Sequence, residues 1–307
     1  MKEGSALAAI DIGSNSVLLE TARVERGRIR LQLHRKETVR LGGALDAQGQ
    51  LQADAMERGW DCLQHYATLM AHVPLAHRRV AATQTLREAI NRNSFLEKAS
   101  AIVQCPIEVI TGEQEARLIY QGVSLFLPEQ PGPRLVVDIG GRSTELGLGH
   151  GAQLEHASSY PLGSVAWSQR FFPQGLLSAD CFAAAHAAAL QVLEPARTLR
   201  TQLRAQPETA VYGASGTAGA ISKVLSAQGH PSGTIEREAL WQLRAQLQAL
   251  GHVDRLQLQG LRPELQPVIG GGISLMCAVF EVLELQHMRM AQGALRHGLL
   301  ASLLERT

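Results

Sequence analysis

Ala8-Ala9-Ile10-Asp11-Ile12-Gly13-Ser14-Asn15-Ser16 opens the chain, and 127 residues later Val136-Val137-Asp138-Ile139-Gly140-Gly141-Arg142-Ser143-Thr144 repeats its pattern. In each copy an apolar strand delivers an aspartate, a glycine lets the chain turn tightly, and small hydroxyl residues lead into a second strand. Such a hairpin points several main-chain N–H groups at one place, where a phosphate fits. Either copy alone reads equally as an ordinary turn. Two copies, each opening a β-rich half, point to a pair of phosphate hairpins. The aspartates cannot favourably touch phosphate themselves, but they can hold a hydrated Mg²⁺ against its oxygens.

Around the two copies the chain alternates short β-like runs with helix-period segments, the α/β pattern. Strands are expected over Leu7 to Ile10, Val17 to Arg23 and Arg28 to His34, then a helix through Met56, Trp60, Leu63, Ala67 and Met70 and a strand from Arg79 to Ala82. The breaker cluster from Leu127 to Pro133 marks a boundary, so a first domain is expected over 1–124 and a second over 125–293, with a helix over 294–307 packing back on the first. Beyond the boundary the β-rich opening recurs at Leu135 to Val137, Thr144 to Leu148 and Gln153 to Tyr160, followed by Ala- and Leu-rich helices.

With 307 residues and 45% hydrophobic residues, the chain can bury cores for two domains. Lys+Arg 29 against Asp+Glu 28 leaves a formal net charge of +1, so no global field draws it to DNA, RNA or an anionic membrane. Aromatic residues at 4% are too sparse for single-strand stacking platforms. Cys62, Cys105, Cys181 and Cys277 are scattered, which argues against a zinc site or disulfide framework and for a reducing compartment. There is no long apolar leader and no run of about 20 apolar residues, so a cytoplasmic protein is expected.

Three further segments carry chemistry. Gly213-Ala214-Ser215-Gly216-Thr217 passes from a strand into a helix and leaves N–H groups where an anion could sit, although it is neither G-x-G-x-x-G nor a P-loop. Gly270-Gly271-Gly272 reads as close packing at a helix start. Thr111 with Gln114 forms a capping box, and the helix it opens buries Leu118, Ile119, Gly122, Leu125 and Phe126. Glu115 shares that face. It is either a first-turn dipole partner or a poised base.

These residues resemble the exopolyphosphatase and guanosine pentaphosphate phosphatase family, within the sugar kinase, actin and Hsp70 superfamily. The resemblance spans nearly the whole chain and adds the runs Ala81-Ala-Thr-Gln-Thr-Leu-Arg87-Glu-Ala and Glu108-Val-Ile-Thr-Gly-Glu-Gln-Glu115-Ala-Arg to the hairpins, Glu145 and Gly213-Ala-Ser-Gly-Thr. It implies two ribonuclease-H-like domains of the actin-like ATPase type with a cleft between them. It implies that Glu115 activates water and that Asp11, Asp138 and Glu145 organise Mg²⁺. It implies phosphate contacts from Gly13, Ser14, Asn15, Ser16, Arg87, Gly140, Gly141, Arg142, Ser143, Gly213, Ser215, Gly216 and Thr217. The substrate implied is polyphosphate or guanosine pentaphosphate, with a homodimer possible.

The chain departs from the family at Arg142, where a small residue is usual and a cation either grips a polyanion or obstructs the loop. Leu265-Gln266-Pro267 replaces Arg-Ala-Asp, and Ala291-Gln-Gly-Ala-Leu-Arg296-His297-Gly298 replaces an acidic version of that run. Longer relatives add C-terminal helical domains; this chain ends at Thr307, so poor processivity is expected. Taken together, the expectation is a Mg²⁺-dependent exopolyphosphatase, with guanosine pentaphosphate hydrolysis as alternative. A polyphosphate or alarmone sensor with weakened catalysis is a further one; a sugar kinase fits the Glu115 segment poorly. Arg78, Arg79, Arg87 and Arg92 are read either as a phosphate-facing cluster or as a solvated face.

Overall fold

The computed structural model describes residues 1–127 and 132–305, so the breaker residues 128–131 lie outside the described part. The chain divides into two compact units, Met1–Phe126 with Gly293–Thr307, and Leu127–Gln292.

The first unit runs β1 (Ala6–Ile12), β2 (Ser16–Glu25), β3 (Arg28–Thr38), α1 (Ala53–Leu69), β4 (Arg78–Ala82), α2 (Gln84–Glu88), α3 (Arg92–Val103), β5 (Ile107–Val109) and α4 (Gly112–Ser124). Its sheet has the order β3-β2-β1-β4-β5, with β1 to β3 an antiparallel meander and β1, β4 and β5 parallel. Period-two alternation sends Ala8, Ile10 and Ile12 of β1 to one face, where they pack with Leu63 and Tyr66 of α1 and Phe95 and Ala99 of α3. Leu7 and Ala9 go to the other face and are fully buried.

The second unit runs β6 (Pro133–Ile139), β7 (Thr144–His150), β8 (Gln153–Tyr160), α5 (Ser164–Phe171), α6 (Ala179–Val192), α7 (Arg197–Ala205), β9 (Ala210–Gly213), α8 (Gly216–Ala227), β10 (Thr234–Glu236), α9 (Arg237–Leu250), α10 (Ile269–Val282) and β11 (His287–Met290). The order β10-β11-β9-β6-β7-β8 repeats the first sheet, with β6 to β9 in the places of β1 to β4, β11 in that of β5, and β10 added at the edge. Both units are therefore ribonuclease-H-like α/β units. α10 is buried at every position but Glu281. Contrary to the composition reading, Pro263–Val282 is apolar enough over 20 residues to cross a membrane, but 78% of its most apolar window is buried, which makes it the core helix of this unit.

The chain then returns to the first unit as α11 (Leu295–Glu305), which packs on α4, β1, β2 and β4. Leu295, Leu299, Leu300 and Leu303 are buried there, each contributing about 2 kcal/mol of transfer free energy. Close approach to α4 depends on Gly298, where a Cβ would overlap the Leu118 carbonyl. Arg296 and His297 meet a buried carboxylate of β2: Arg296 Nε donates to Glu20 Oε2 at 2.8 Å, and His297 Nε2 stands 3.6 Å from the same oxygen. The altered run 291–298 thus ties α11 to its sheet.

Candidate active site

The 127-residue repeat is a repeat of pairing register. Asp11 on β1 faces Leu18 on β2, and Asp138 on β6 faces Glu145 on β7. The turns close alike, Gly13 N–H donating to Ser16 O at 3.1 Å and Gly140 N–H to Ser143 O at 2.9 Å. A Cβ at Gly13 would stand 3.0 Å from Ser16 O and one at Gly140 3.2 Å from Ser143 O, so both positions favour glycine on space.

Each turn is held from behind through its carbonyls. In the first, Gly42 N–H donates to Ser14 O at 2.7 Å, and Val39 and Arg40 N–H groups converge on Asn15 O at 3.1 and 3.0 Å. In the second, Ser164 N–H donates to Gly140 O and Val165 and Ala166 N–H groups to Gly141 O, which docks the turn on the start of α5. The carbonyls are consumed, and the opposite side of each turn is left to its donors. Among the described residues, the N–H groups of Ser14, Asn15 and Gly141 donate to no protein acceptor. That is the electrostatic signature of an anion nest.

Beside the first hairpin, Thr85 Oγ1 donates to Ser14 Oγ at 2.8 Å, linking α2 to the turn. Arg87, the next-to-last residue of α2, reaches α4: its Nη1 donates to Glu115 Oε2 at 2.8 Å and to Ile110 O at 2.8 Å, while Nε donates to Gln84 Oε1 at 2.8 Å. Arg87 Nη2 and Ser16 Oγ are buried and have no hydrogen-bond partner among the described residues. Both are polar groups able to donate to an added oxygen ligand.

Glu115 stands at the start of α4, whose capping box is formed in full: Gln114 N–H donates to Thr111 Oγ1 at 3.2 Å, and Thr111 N–H donates to Gln114 Oε1 at 2.8 Å. Its side chain is 8% exposed. Burial pushes its pKa above the ordinary glutamate range, and the Arg87 guanidinium opposes that rise through charge and hydrogen bond. With Oε2 held by Arg87, no hydrogen bond engages Oε1 among the described residues, which leaves a carboxylate oxygen oriented and poised to accept a proton. The α4 face differs from expectation at one end, since Leu125 is 47% exposed at the C-cap and Tyr120 and Val123 take its place inside.

In the second unit Glu145 is buried and accepts from Ser159 Oγ at 2.7 Å across β7 and β8. Direct cross-strand partners share a face, so Asp138 and Glu145 present two carboxylates side by side. The Gly213 run forms the β9–α8 turn: Ala214 N–H donates to Val137 O at 2.9 Å, and Ser215 caps α8 by accepting from Ala218 N–H at 3.0 Å. Gly216 and Thr217 occupy the first turn of α8.

The arginine cluster needs correction. Arg78 donates to the carbonyls of Val73, Met70 and Val103, and Arg79 pairs with Glu108 and bonds Ser302, so both are structural. Arg92 bonds the Arg87 carbonyl. Of the four, only Arg87 stands with candidate catalytic groups. Its pairing with Glu115 was not readable from sequence, because the two lie 28 residues apart in separate motifs.

Paired anion nests on ribonuclease-H-like units, with a buried, arginine-held carboxylate at a helix start, define a phosphoryl-group-handling enzyme. Residues 21–307 match the model of the Ppx/GppA phosphatase family. The chain belongs to that family, and it is a phosphoanhydride hydrolase. It is similar to the PPX-GPPA enzyme of Aquifex aeolicus at 26% identity and a TM-score of 0.80, covering 97% of this chain and 99% of that one. It also shares its fold with an exopolyphosphatase from Cytophaga hutchinsonii at 23% identity and with an exopolyphosphatase-like protein at 24%, each with a TM-score of 0.86 and 99% coverage of both chains.

Proposed function

We propose that the chain is a Mg²⁺-dependent exopolyphosphatase that releases terminal orthophosphate from inorganic polyphosphate. The observation that carries this reading is the character of the donors. The main-chain N–H groups of Ser14 and Asn15 and the Arg87 guanidinium in the first unit, and the Gly141 N–H in the second, are donors that suit repeating anionic groups and read no base. Glu115 Oε1 takes a proton from water, whose oxygen bonds to the terminal phosphorus. The bridging P–O bond breaks, and the shortened chain leaves with the electron pair. Water is a poor nucleophile against a polyanion, so the step depends on this base and on donors that neutralise developing charge. Gly13 and Gly140 shape the turns. Ser16, Ser143, Ser215, Gly216 and Thr217 supply further donors, and Arg142 adds a cation beside the second turn.

Mg²⁺ fits the donor set. In the second unit Asp138 and Glu145, direct cross-strand partners, are hard oxygen donors, as is Asp11 in the first unit. An ion held by one or two carboxylates, with waters and phosphate completing its shell, is the habit of Mg²⁺ rather than Zn²⁺. When bound, it supplies charge neutralisation at the phosphate oxygens.

Phosphate release from polyphosphates of several lengths and from guanosine pentaphosphate, with and without Mg²⁺, tests the reading. Turnover on short chains is expected. A kcat/KM for guanosine pentaphosphate about tenfold above every polyphosphate, a difference of about 1.4 kcal/mol, overturns the substrate assignment. No release from either favours a sensor.

A further inference from the structure

Seven of the chain's 29 Lys and Arg residues fall between Arg23 and Arg40, with only Glu25 and Glu37 as acids among them. All but Arg40, which follows β3, lie on the β2–β3 ribbon of the first unit, whose outer strand β3 is the edge of its sheet. The ribbon begins at the first phosphate hairpin, where Ser16 pairs with Thr38, and ends at the Arg26-Gly27 turn. At about 3.3 Å per residue, the ten residues of β2 span about 33 Å.

At the far end Glu25 stands opposite Arg28 and the Glu3 carboxylate accepts the Arg26 N–H, but one pair is like-charged. Arg23 and Arg30 are direct cross-strand partners and both are exposed, an arrangement that places like charges opposite one another and costs stability. Arg26 sits at φ 53° in the two-residue turn, a position that asparagine or glycine fills more easily. Arg30 pairs with Glu25 at 3.0 Å. The guanidinium groups of Arg23, Arg26 and Arg28 have no carboxylate partner among the described residues. Local rules broken together on an exposed surface mark a place that serves a ligand.

We infer that this ribbon is an electrostatic track for the distal part of a long polyphosphate chain whose terminal phosphate occupies the first hairpin. An extended polyanion matches an extended row of cations, and the outward main-chain N–H groups of an edge strand add donors along the same line. The inference rests on the polyphosphate reading and adds a dependence on chain length to it. Tripolyphosphate is too short to reach Arg23, Arg26 and Arg28 from the hairpin.

The triple variant Arg23→Gln, Arg26→Gln, Arg28→Gln of the full chain tests it by two measurements, hydrolysis kinetics and direct binding of long-chain polyphosphate across a salt series. The expected result is a KM for long chains raised about tenfold, unchanged kcat/KM on tripolyphosphate, and a log-log salt slope of binding shallower by about 2, since each lost phosphate contact removes about 0.7. An unchanged KM and slope for long chains overturns the track. If the parent protein hydrolyses no polyphosphate, the function reading fails separately; arginine-dependent binding then still supports the track, and its absence overturns it. Tighter arginine-dependent binding of single-stranded RNA than of polyphosphate overturns the choice of occupant. An unaltered melting curve shows that the variant folds.

Discussion

The two hairpins share one backbone and differ in what they carry. Position by position, Ser14, Asn15 and Leu18 of the first stand where the second has Gly141, Arg142 and Glu145. Apart from Asp11, the match of Asp138, the first hairpin carries no charge from Gly13 to Leu18, and further charges come from elsewhere in its unit, from Arg87 on α2 and Glu115 on α4. The second turn has its charges built in, with Asp138 and Glu145 facing each other across one strand pair and Arg142 at the tip. The first copy thus lies in the unit that holds a candidate proton acceptor, and the second carries a carboxylate pair that would suit a hard cation.

Removing the acceptor is the most damaging way to test that division. Glu115→Gln is expected to bind substrate and to lower kcat by about 10² or more, because a carboxamide cannot take a proton from water. Near-normal turnover would remove Glu115 from the chemistry. The pH profile carries the same test. Glu115 must be ionised to act, and burial raises its pKa, so activity should fall on acidification at a pH above the ordinary glutamate range. Arg87 opposes that rise; Arg87→Met should move the acid limb further up, while an unmoved limb would show that another group titrates.

The carboxylate pair of the second hairpin comes next in size. Glu145→Gln keeps an acceptor for Ser159 but loses charge beside Asp138, and should raise the Mg²⁺ concentration for half-maximal activity by about 10 to 100-fold. Leu18→Gln, which puts the same side chain at the matching position of the first hairpin but removes no charge, should leave the Mg²⁺ requirement alone. Equal shifts at both positions would dissolve the distinction. Smaller again is Arg142→Ser, expected to raise KM about tenfold at unchanged kcat, or about 1.4 kcal/mol of binding. A lower KM would show that the side chain obstructs its loop.

How much of this could be read from sequence depended on distance along the chain. The hairpins and the capping box at Thr111 are local, so spacing alone located Gly13, Gly140 and Glu115. The Arg87–Glu115 contact joins two motifs through tertiary packing, and no periodicity reports it. Arg78 and Arg79 were misread for the same reason: a charged residue in a strand looks alike whether it faces phosphate or, as here, backbone carbonyls and Glu108. Leu125 carried the helical period but falls at the C-cap, where the fold has no core left to offer it. The buried charge of Glu20 was invisible because its partners, Arg296 and His34, lie 276 and 14 residues away.

The units also differ in how they are closed, and this supplies the smallest effect. The second encloses an apolar core helix, α10, whereas α11 is fixed to the first partly through titratable groups. Ala294 N–H donates to His297 Nδ1 at 3.0 Å, so that nitrogen carries no proton and the neutral ring keeps its proton on Nε2, towards Glu20. Burial pushes the His297 pKa down, helped by Arg296 and opposed by Glu20. As pH falls through the ordinary histidine value of about 6.5, the unfolded chain takes up a proton that the folded chain resists, so stability drops. Glu20 acts in the same direction lower down: burial alone would raise its pKa, but His297 and Arg296 outweigh it, and its stabilisation is lost as pH falls through that depressed value. His297→Gln keeps an acceptor for the helix cap and does not titrate. Thermal denaturation between pH 7.5 and 5.5 should therefore show a loss in the parent protein that is absent from the variant. Parallel curves would mean that His297 fills space at the end of α11 and does not hold it.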